Sequence, residues 1–278
     1  RGKLSLRLRE LGGLVRIAGD LAAEDKAALT RSEHVTRARM IAKPLEQQVA
    51  DRYLERQSEY SMLVNRGERI GRVNGLAVLG ADTGLSDYSG VVLPVEAMVT
   101  PTHGRSGKVI ATGGLSDLAQ ESVTNISAVV KKLTGKDIQD YDLHVQFPGT
   151  HNVDGDSASI TMATAIISAF EGIPIEQNLA MTGSLTVRGE VLPIGGVSAK
   201  IEAAVKSGIE KVIIPRSNLQ DVLIDEKYEA KVEILPVDSL DEVLQHALVG
   251  AEDKVSIVER LASVIDTFSG GPDSQPSA

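Results

Sequence analysis

Apolar residues recur at helical spacing along the start of this chain, and the pattern then changes to that of strands. Leu8, Leu11, Leu14, Val15 and Ala18 fall on one helical face, with Arg7, Arg9 and Glu10 between them. After a polar break, Ser32-Glu33-His34 opens a second helix that runs through Ala42. Pro44 stands at a restart, in the first turn of a long polar helix from about Leu45 to Met62. That helix is poor in core residues and is expected to pack on something outside this chain.

From Gly67 the reading becomes mixed. Gly71 to Leu79, Gly90 to Val99 and Lys108 to Thr112 are β-like. A helix is expected from about Ser116 to Leu133, on the stripe Leu118, Val123, Ile126, Val129 and Val130. Leu143 to Phe147 alternates as a short strand, and Thr161 to Phe170 is a dense apolar helix. Ala180 to Gly189 reads as strand and turn, followed by a helix carrying Lys200 and ending near Ser207. Lys211 to Pro215 and Val232 to Pro236 are short buried strands, and Ser239 to Leu248 is helical. A last helix is expected near Val255 to Phe268, and the Gly/Ser/Pro-rich tail from Gly270 to Ala278 is expected to be disordered. This irregular order of strands and helices favours an α+β fold over a regular βαβ repeat.

Composition narrows the chemistry. The chain has 278 residues, enough for one large domain or two modest ones. Aromatic residues make up 3 % and tryptophan is missing, so the core must be Val, Ile, Leu and Ala. A net charge of −9 argues against a nucleic-acid footprint. The lack of cysteine excludes disulfides, thiol chemistry and thiolate metal sites, and fits a reducing compartment. The five histidines include no His-x-x-x-His pair, so no metal site is expected. No apolar run approaches the roughly 18 residues of a membrane span, and no signal peptide is visible. Because the sequence opens on Arg1 in what reads as mid-helix, it is expected to be part of a longer protein.

Two segments carry candidate chemistry. Asp154-Gly-Asp-Ser-Ala-Ser159 precedes one helix, and Gly195-Gly-Val-Ser-Ala-Lys200 opens another. Taken alone, Ser157 reads as a helix cap. If it instead sits in the first turn, the free backbone N–H groups beside it could hold a tetrahedral oxyanion. Lys200 taken alone reads as a solvated lysine. Near a helix N-terminus and kept from water, it would favour the neutral amine that a general base must be.

Between the two lies Met181-Thr-Gly-Ser-Leu-Thr-Val-Arg-Gly-Glu-Val-Leu-Pro-Ile-Gly-Gly196, which resembles the signature of the Lon protease family. The Asp-Gly-Asp-Ser-Ala-Ser and Gly-Gly-x-x-x-Lys segments resemble the archaeal, membrane-anchored B-type branch. The resemblance extends over about residues 70–250 and includes Gly71-Arg-Val-Asn-Gly-Leu-Ala-Val and Lys211-Val-Ile-Ile-Pro. It implies a Ser157–Lys200 catalytic dyad, with Ser157 as nucleophile and Lys200 as general base. Thr182, otherwise an ordinary strand threonine, matches the threonine that orients the lysine amine. Asp156 stands where bacterial relatives usually have proline. A carboxylate there would raise the pKa of Lys200, so it either turns away in the active state or holds an inactive one. Asp154 matches the family's acidic position and is read as shaping the loop. A Ser/His/Asp triad through His144 or His151 is the rival arrangement, which the Lon-like spacing disfavours.

Leu8-Arg9-Glu10-Leu11 with Leu14 to Ala18 resembles the sensor-2 helix of an AAA+ small domain. There Arg9, or Arg7 in another register, would reach nucleotide phosphates in the complete protein; otherwise the row is solvated arginine. Gly104-Arg-Ser-Gly-Lys108 imitates a phosphate loop, but Thr102 replaces its first glycine and Val109 its hydroxyl. The expected organisation is an AAA+ remnant and linker over 1–62, a proteolytic domain like ribosomal protein S5 domain 2 over 67–250, a helix over 251–268 and a tail over 269–278. The resemblance further implies protein or peptide substrates, no cofactor in this chain, ATP and Mg in the AAA+ part beyond it, and a homo-hexamer. It places the chain in the cytoplasm, with membrane anchoring through the missing part. A catalytically silent oligomerisation module is the alternative, although such modules are expected to lose the serine or the lysine.

Overall fold

Strands that are apolar on both faces need cover on both sides, and that requirement sets the architecture. The structure, a computed structural model, describes residues 8–42, 48, 51, 52, 55, 63–79, 89–102, 107–112, 126–131, 140–148 and 156–250. In chain order its elements are α1 (Leu8–Glu24), α2 (Ser32–Ile41), β1 (Glu68–Arg69), β2 (Arg72–Leu79), β3 (Ser89–Pro101), β4 (Val109–Thr112) and β5 (Tyr141–Gln146). These are followed by α3 (Ser159–Glu171), β6 (Ile175–Glu176), β7 (Leu179–Met181), β8 (Ser184–Leu185), β9 (Val191–Leu192) and α4 (Val197–Lys206). The last are β10 (Lys211–Pro215), a 3-10 turn (Arg216–Asp221), α5 (Glu226–Glu229), β11 (Glu233–Val237) and α6 (Leu240–Ala247).

A seven-stranded sheet in the order β11-β10-β7-β2-β3-β5-β4 forms the centre. β3 runs antiparallel to β2 and β5, and the remaining neighbours are parallel. The fold is therefore a mixed αβ arrangement with a central mixed sheet. Alternation along each strand divides the core in two. Val73, Val91, Leu93, Val95, Leu143, Val145, Met181 and Ile213 join one cluster with α3 and α6. Leu76, Val92, Ala180, Val212 and Ile214 join the other, against Val197, Ile201 and Ala204 of α4. One-residue alternation between two helical layers is why Val91-Val92-Leu93 and Val212-Ile213-Ile214 read as unbroken apolar runs.

α3 is the most deeply placed helix: all its residues except Ala169 and Glu171 are buried. Each large apolar side chain so buried contributes about 1.5–3 kcal/mol. Its hydroxyls are satisfied on the spot: Thr164 donates to the Ile160 carbonyl at 2.8 Å, and Ser168 donates to the Ile173 carbonyl while accepting from Gly71 N–H. At the sheet centre, the Asn74 amide donates to the carbonyls of Val64 and Gln177, both at 2.9 Å, tying β2 to the 175–179 segment.

α1 and α2 pair through their own small cluster, Ala18, Leu21 and Ala38. His34 is buried there; its Nδ1 accepts from Arg31 N–H at 2.9 Å, and its Nε2 lies 3.3 Å from the Asp25 carboxylate. Among the described residues, no helix is long and apolar enough to cross a membrane.

Several expectations shift. Within the helix expected over 45–62, the four described residues, 48, 51, 52 and 55, are helical. Of the helix expected over 116–133, the described run 126–131 is helical. The helix near 255–268 and the tail lie outside the described residues. The strand expected before a turn over 180–189 is two strands separated at Thr182-Gly183, and after the turn β9 folds back on β8. The reversal is made by Thr186, whose N–H donates to Glu190 C=O while its hydroxyl accepts from the N–H groups of Arg188 and Glu190. Such side-chain-to-backbone bonds compete with a continuing strand.

Candidate active site

The loop before α3 is strapped to the break between β7 and β8. Gly183 N–H donates to Ser157 C=O at 2.8 Å, and Ile160 N–H donates to Gly183 C=O at 3.2 Å. Thr182 N–H in turn donates to Ile213 C=O of β10 at 3.1 Å, anchoring the break in the central sheet. α3 begins at Ser159, two residues before the expected Thr161, and Ser157 lies ahead of its first turn. Asp156 C=O accepts from both the N–H and the hydroxyl of Ser159, a turn that leads into the helix. Nor does Ser157 act as a cap: the capping position is Ala158, with no side-chain bond. Among the described residues, the half-buried Ser157 donates and accepts no side-chain hydrogen bond, and its N–H and that of Ala158 find no backbone partner.

Lys200 enters from the opposite layer. Gly196, in the left-handed region at φ 69°, starts α4, and Lys200 lies in its first turn. The helix start sits directly on β3, because Gly90 offers no side chain to hold it off. A Cβ at Gly90 would meet Ala199 O at 2.0 Å and Lys200 N at 2.9 Å. Lys200 is 1 % exposed. Burial lowers its pKa from 10.5 to about 8, opposed by the Asp156 charge, which raises it.

Thr182, fully buried, joins the two segments. Its hydroxyl accepts from Lys200 Nζ at 3.1 Å and donates to Ser157 C=O at 3.1 Å. A hydroxyl has one proton to give, so the direction of this relay is set: amine to threonine to serine carbonyl. Lys200 therefore keeps a hydrogen bond whether or not it is charged, and once neutral its lone pair is free. Among the described residues, Ser157 Oγ and Lys200 Nζ are not hydrogen-bonded to each other. Asp156 is exposed and does not bond to Lys200 either; its Oδ2 accepts from Ser184 Oγ at 2.5 Å.

The other candidates lie elsewhere. His144 is exposed on β5, in a cleft of about 480 Å³ lined by Arg69, Arg72, Glu96, Met98 and Gln146, and no hydrogen bond links it to Ser157. Arg9 lies in α1; its side chain, Arg7, His151 and Asp154 lie outside the described residues. Among the described residues, no three His, Asp or Glu side chains are grouped to hold a metal ion.

Two contributors escaped sequence reasoning, Ser184 and Gly90. A glycine inside a strand signals a close backbone approach, but which backbone approaches is a tertiary fact. Nothing in the chain marks Ser184 apart from other strand serines.

Comparison with known proteins identifies the lineage of these motifs. The profile of the Lon protease C-terminal proteolytic domain matches residues 46–250. An archaeal Lon protease of Thermoplasma acidophilum is 53 % identical over 268 residues, covering 96 % of this chain and 41 % of that protein. One of Archaeoglobus fulgidus is 52 % identical over 262 residues, covering 94 % and 41 %. A Lon protease of Azorhizobium caulinodans is 36 % identical over 208 residues, covering 72 % and 23 %. The chain thus spans about 41 % of the length of the archaeal relatives named here.

Proposed function

The chain belongs to the Lon protease C-terminal proteolytic domain family, and from that premise we propose that it hydrolyses peptide bonds with Ser157 as nucleophile and Lys200 as general base. The observation that carries this reading is the Thr182 hydroxyl held between the Lys200 amine and the Ser157 backbone.

A serine hydroxyl is a weak nucleophile until a base takes its proton. Lys200 suits that task because burial brings its pKa to about 8, close to the working pH of a general base. Rotation about the Ser157 Cα–Cβ bond, which no hydrogen bond among the described residues opposes, is the movement proposed to bring Oγ to the amine. Oγ attacks the scissile carbonyl as its proton passes to Nζ, and the N–H groups of Ser157 and Ala158 receive the oxyanion. Nζ then protonates the leaving amine, giving an acyl-enzyme and a neutral Lys200. Water attacks the acyl carbon with the same amine as base, which releases the acid and restores Ser157. Thr182 holds the amine in place throughout.

The same chemistry is proposed to operate within a larger protein. α1 and α2 are the end of an AAA+ small domain, and residues 67–250 fold like ribosomal protein S5 domain 2. The complete protein is a homo-hexamer that threads unfolded or damaged proteins using ATP and Mg. It is held at the cytoplasmic face of the membrane by parts beyond this chain. Arg9 contributes to nucleotide sensing only there.

A fluorophosphonate probe tests the assignment. It is expected to label Ser157, located by peptide mass spectrometry, and to lose that label in Lys200→Met. A folded chain that takes up no label at Ser157 would leave the silent oligomerisation module as the better account. Asp156 supplies a second test. Since its charge raises the Lys200 pKa, Asp156→Asn lowers it and enlarges the neutral fraction at pH 7. The expected result is about a two- to fivefold rise in kcat/KM at pH 7, with the acid limb of the pH–rate profile moved downward. An unmoved acid limb removes Asp156 from control of the base.

A further inference from the structure

Ser184 stands two residues beyond Thr182, at the start of β8, and is 5 % exposed. Backbone pairing with Leu192 of β9 fixes its position, so its hydroxyl is a firm donor aimed at the loop that carries Asp156 and Ser157. A hydroxyl-to-carboxylate bond is charge-assisted and strong for its kind. The carboxylate it holds is also the charge that acts on the Lys200 amine.

Among the described residues, the other charged groups around α4 have partners or charged neighbours of their own. Arg72 of β2 pairs with Glu96 of β3, Lys211 of β10 with Glu176, and Arg216 with Asp238 and Glu242. Asp221 accepts from the Asn218 amide. On α4 itself, Glu202 lies under the influence of Lys206, Arg39 and Lys227, and Lys206 also meets Asp51. Among the described residues, the competition therefore concerns one carboxylate, Asp156, and two partners, a neutral hydroxyl and a buried amine.

We propose that Ser184 is a positioning residue whose hydroxyl holds Asp156 away from Lys200, keeping the amine on Thr182 and available to Ser157. This rests on the reading of Lys200 as the base. With the Ser184 hydroxyl removed, the carboxylate gains most by pairing with the Lys200 ammonium. That pairing stabilises the protonated amine and withdraws it from Thr182.

Ser184→Ala is expected to raise the acid limb of the kcat/KM profile by about one pH unit, lowering kcat/KM at pH 7 about tenfold while leaving the alkaline plateau unchanged. Ser184→Thr, which keeps a hydroxyl, restores the wild-type profile. The double variant Asp156→Asn/Ser184→Ala matches Asp156→Asn alone, because the carboxylate to be restrained is gone. An unmoved acid limb in Ser184→Ala together with an unmoved Lys200 titration overturns the proposal, as does the same tenfold loss in the Asp156→Asn background, which would mark a merely structural role.

The titration of the Lys200 Cε resonance, read by carbon-13 NMR on the 278-residue chain, separates this proposal from the one beneath it. An upward shift in Ser184→Ala supports the restraint even if Lys200 proves not to be the base; no shift overturns it. If Ser184→Ala fails to fold, Ser184→Cys preserves the volume with a much weaker donor. It is expected to shift the titration in the same direction, and an unshifted titration there overturns the proposal.

Discussion

Ser157→Ala is expected to abolish peptide cleavage, lowering kcat/KM by more than about 10⁴-fold, with the fold intact. The loss is large because no other group in the site replaces the attacking oxygen. The stability change is small because the Ser157 hydroxyl has no hydrogen bond to lose among the described residues and only half-buried surface to give up; about 0.5 kcal/mol bounds it. Peptide hydrolysis and thermal unfolding measured on the same preparation check both halves. Retained cleavage in the purified variant would rule out Ser157 as the nucleophile.

Lys200→Met is expected to be as inactive and, at neutral pH, more stable. The lysine pKa is near 8 in the folded chain against 10.5 when free of its surroundings. Between those values the unfolded state binds the extra proton, so the penalty for burying the amine is absent above pH 10.5. It grows as pH falls from 10.5 to 8 and is complete below 8. That difference is worth roughly 3 kcal/mol, less the lost bond to Thr182 of about 1 kcal/mol, leaving a gain of about 2 kcal/mol at pH 7. Methionine fills a similar volume in the apolar setting of Ile201 and Ala204. Denaturant unfolding at pH 7 and pH 11 reads the effect, and a variant no more stable at pH 7 would contradict the burial cost.

A buried amine that destabilises the fold is the kind of feature retained at sites of chemistry. Its depth comes from three backbone facts: Gly196 starts α4, Gly90 lets that start rest on β3, and the β7–β8 break presents Thr182 to the amine.

The chain's own pattern was enough to place most strands and the helices α1, α2, α3, α4 and α6 to within a few residues. Period 2 and period 3.6 are local properties, and both survive folding. The likeness of short, contiguous runs to Lon protease motifs was enough to indicate the family and to nominate Ser157, Thr182 and Lys200. Sequence reasoning missed the break between β7 and β8 at Thr182-Gly183, where Gly183 bonds to the loop before α3, and it began α3 at Thr161 instead of Ser159. In both places hydrogen bonds to a loop set where the element begins or ends, and periodicity does not register those bonds. What the tertiary structure alone decided is how the candidates meet. Ser157 and Lys200 come from opposite layers of the sheet, and only the packing of α3 and α4 on either side of it brings both to Thr182. The partner of Asp156 was decided in the same way, since Ser184 reaches it through a fold-back that no local rule specifies.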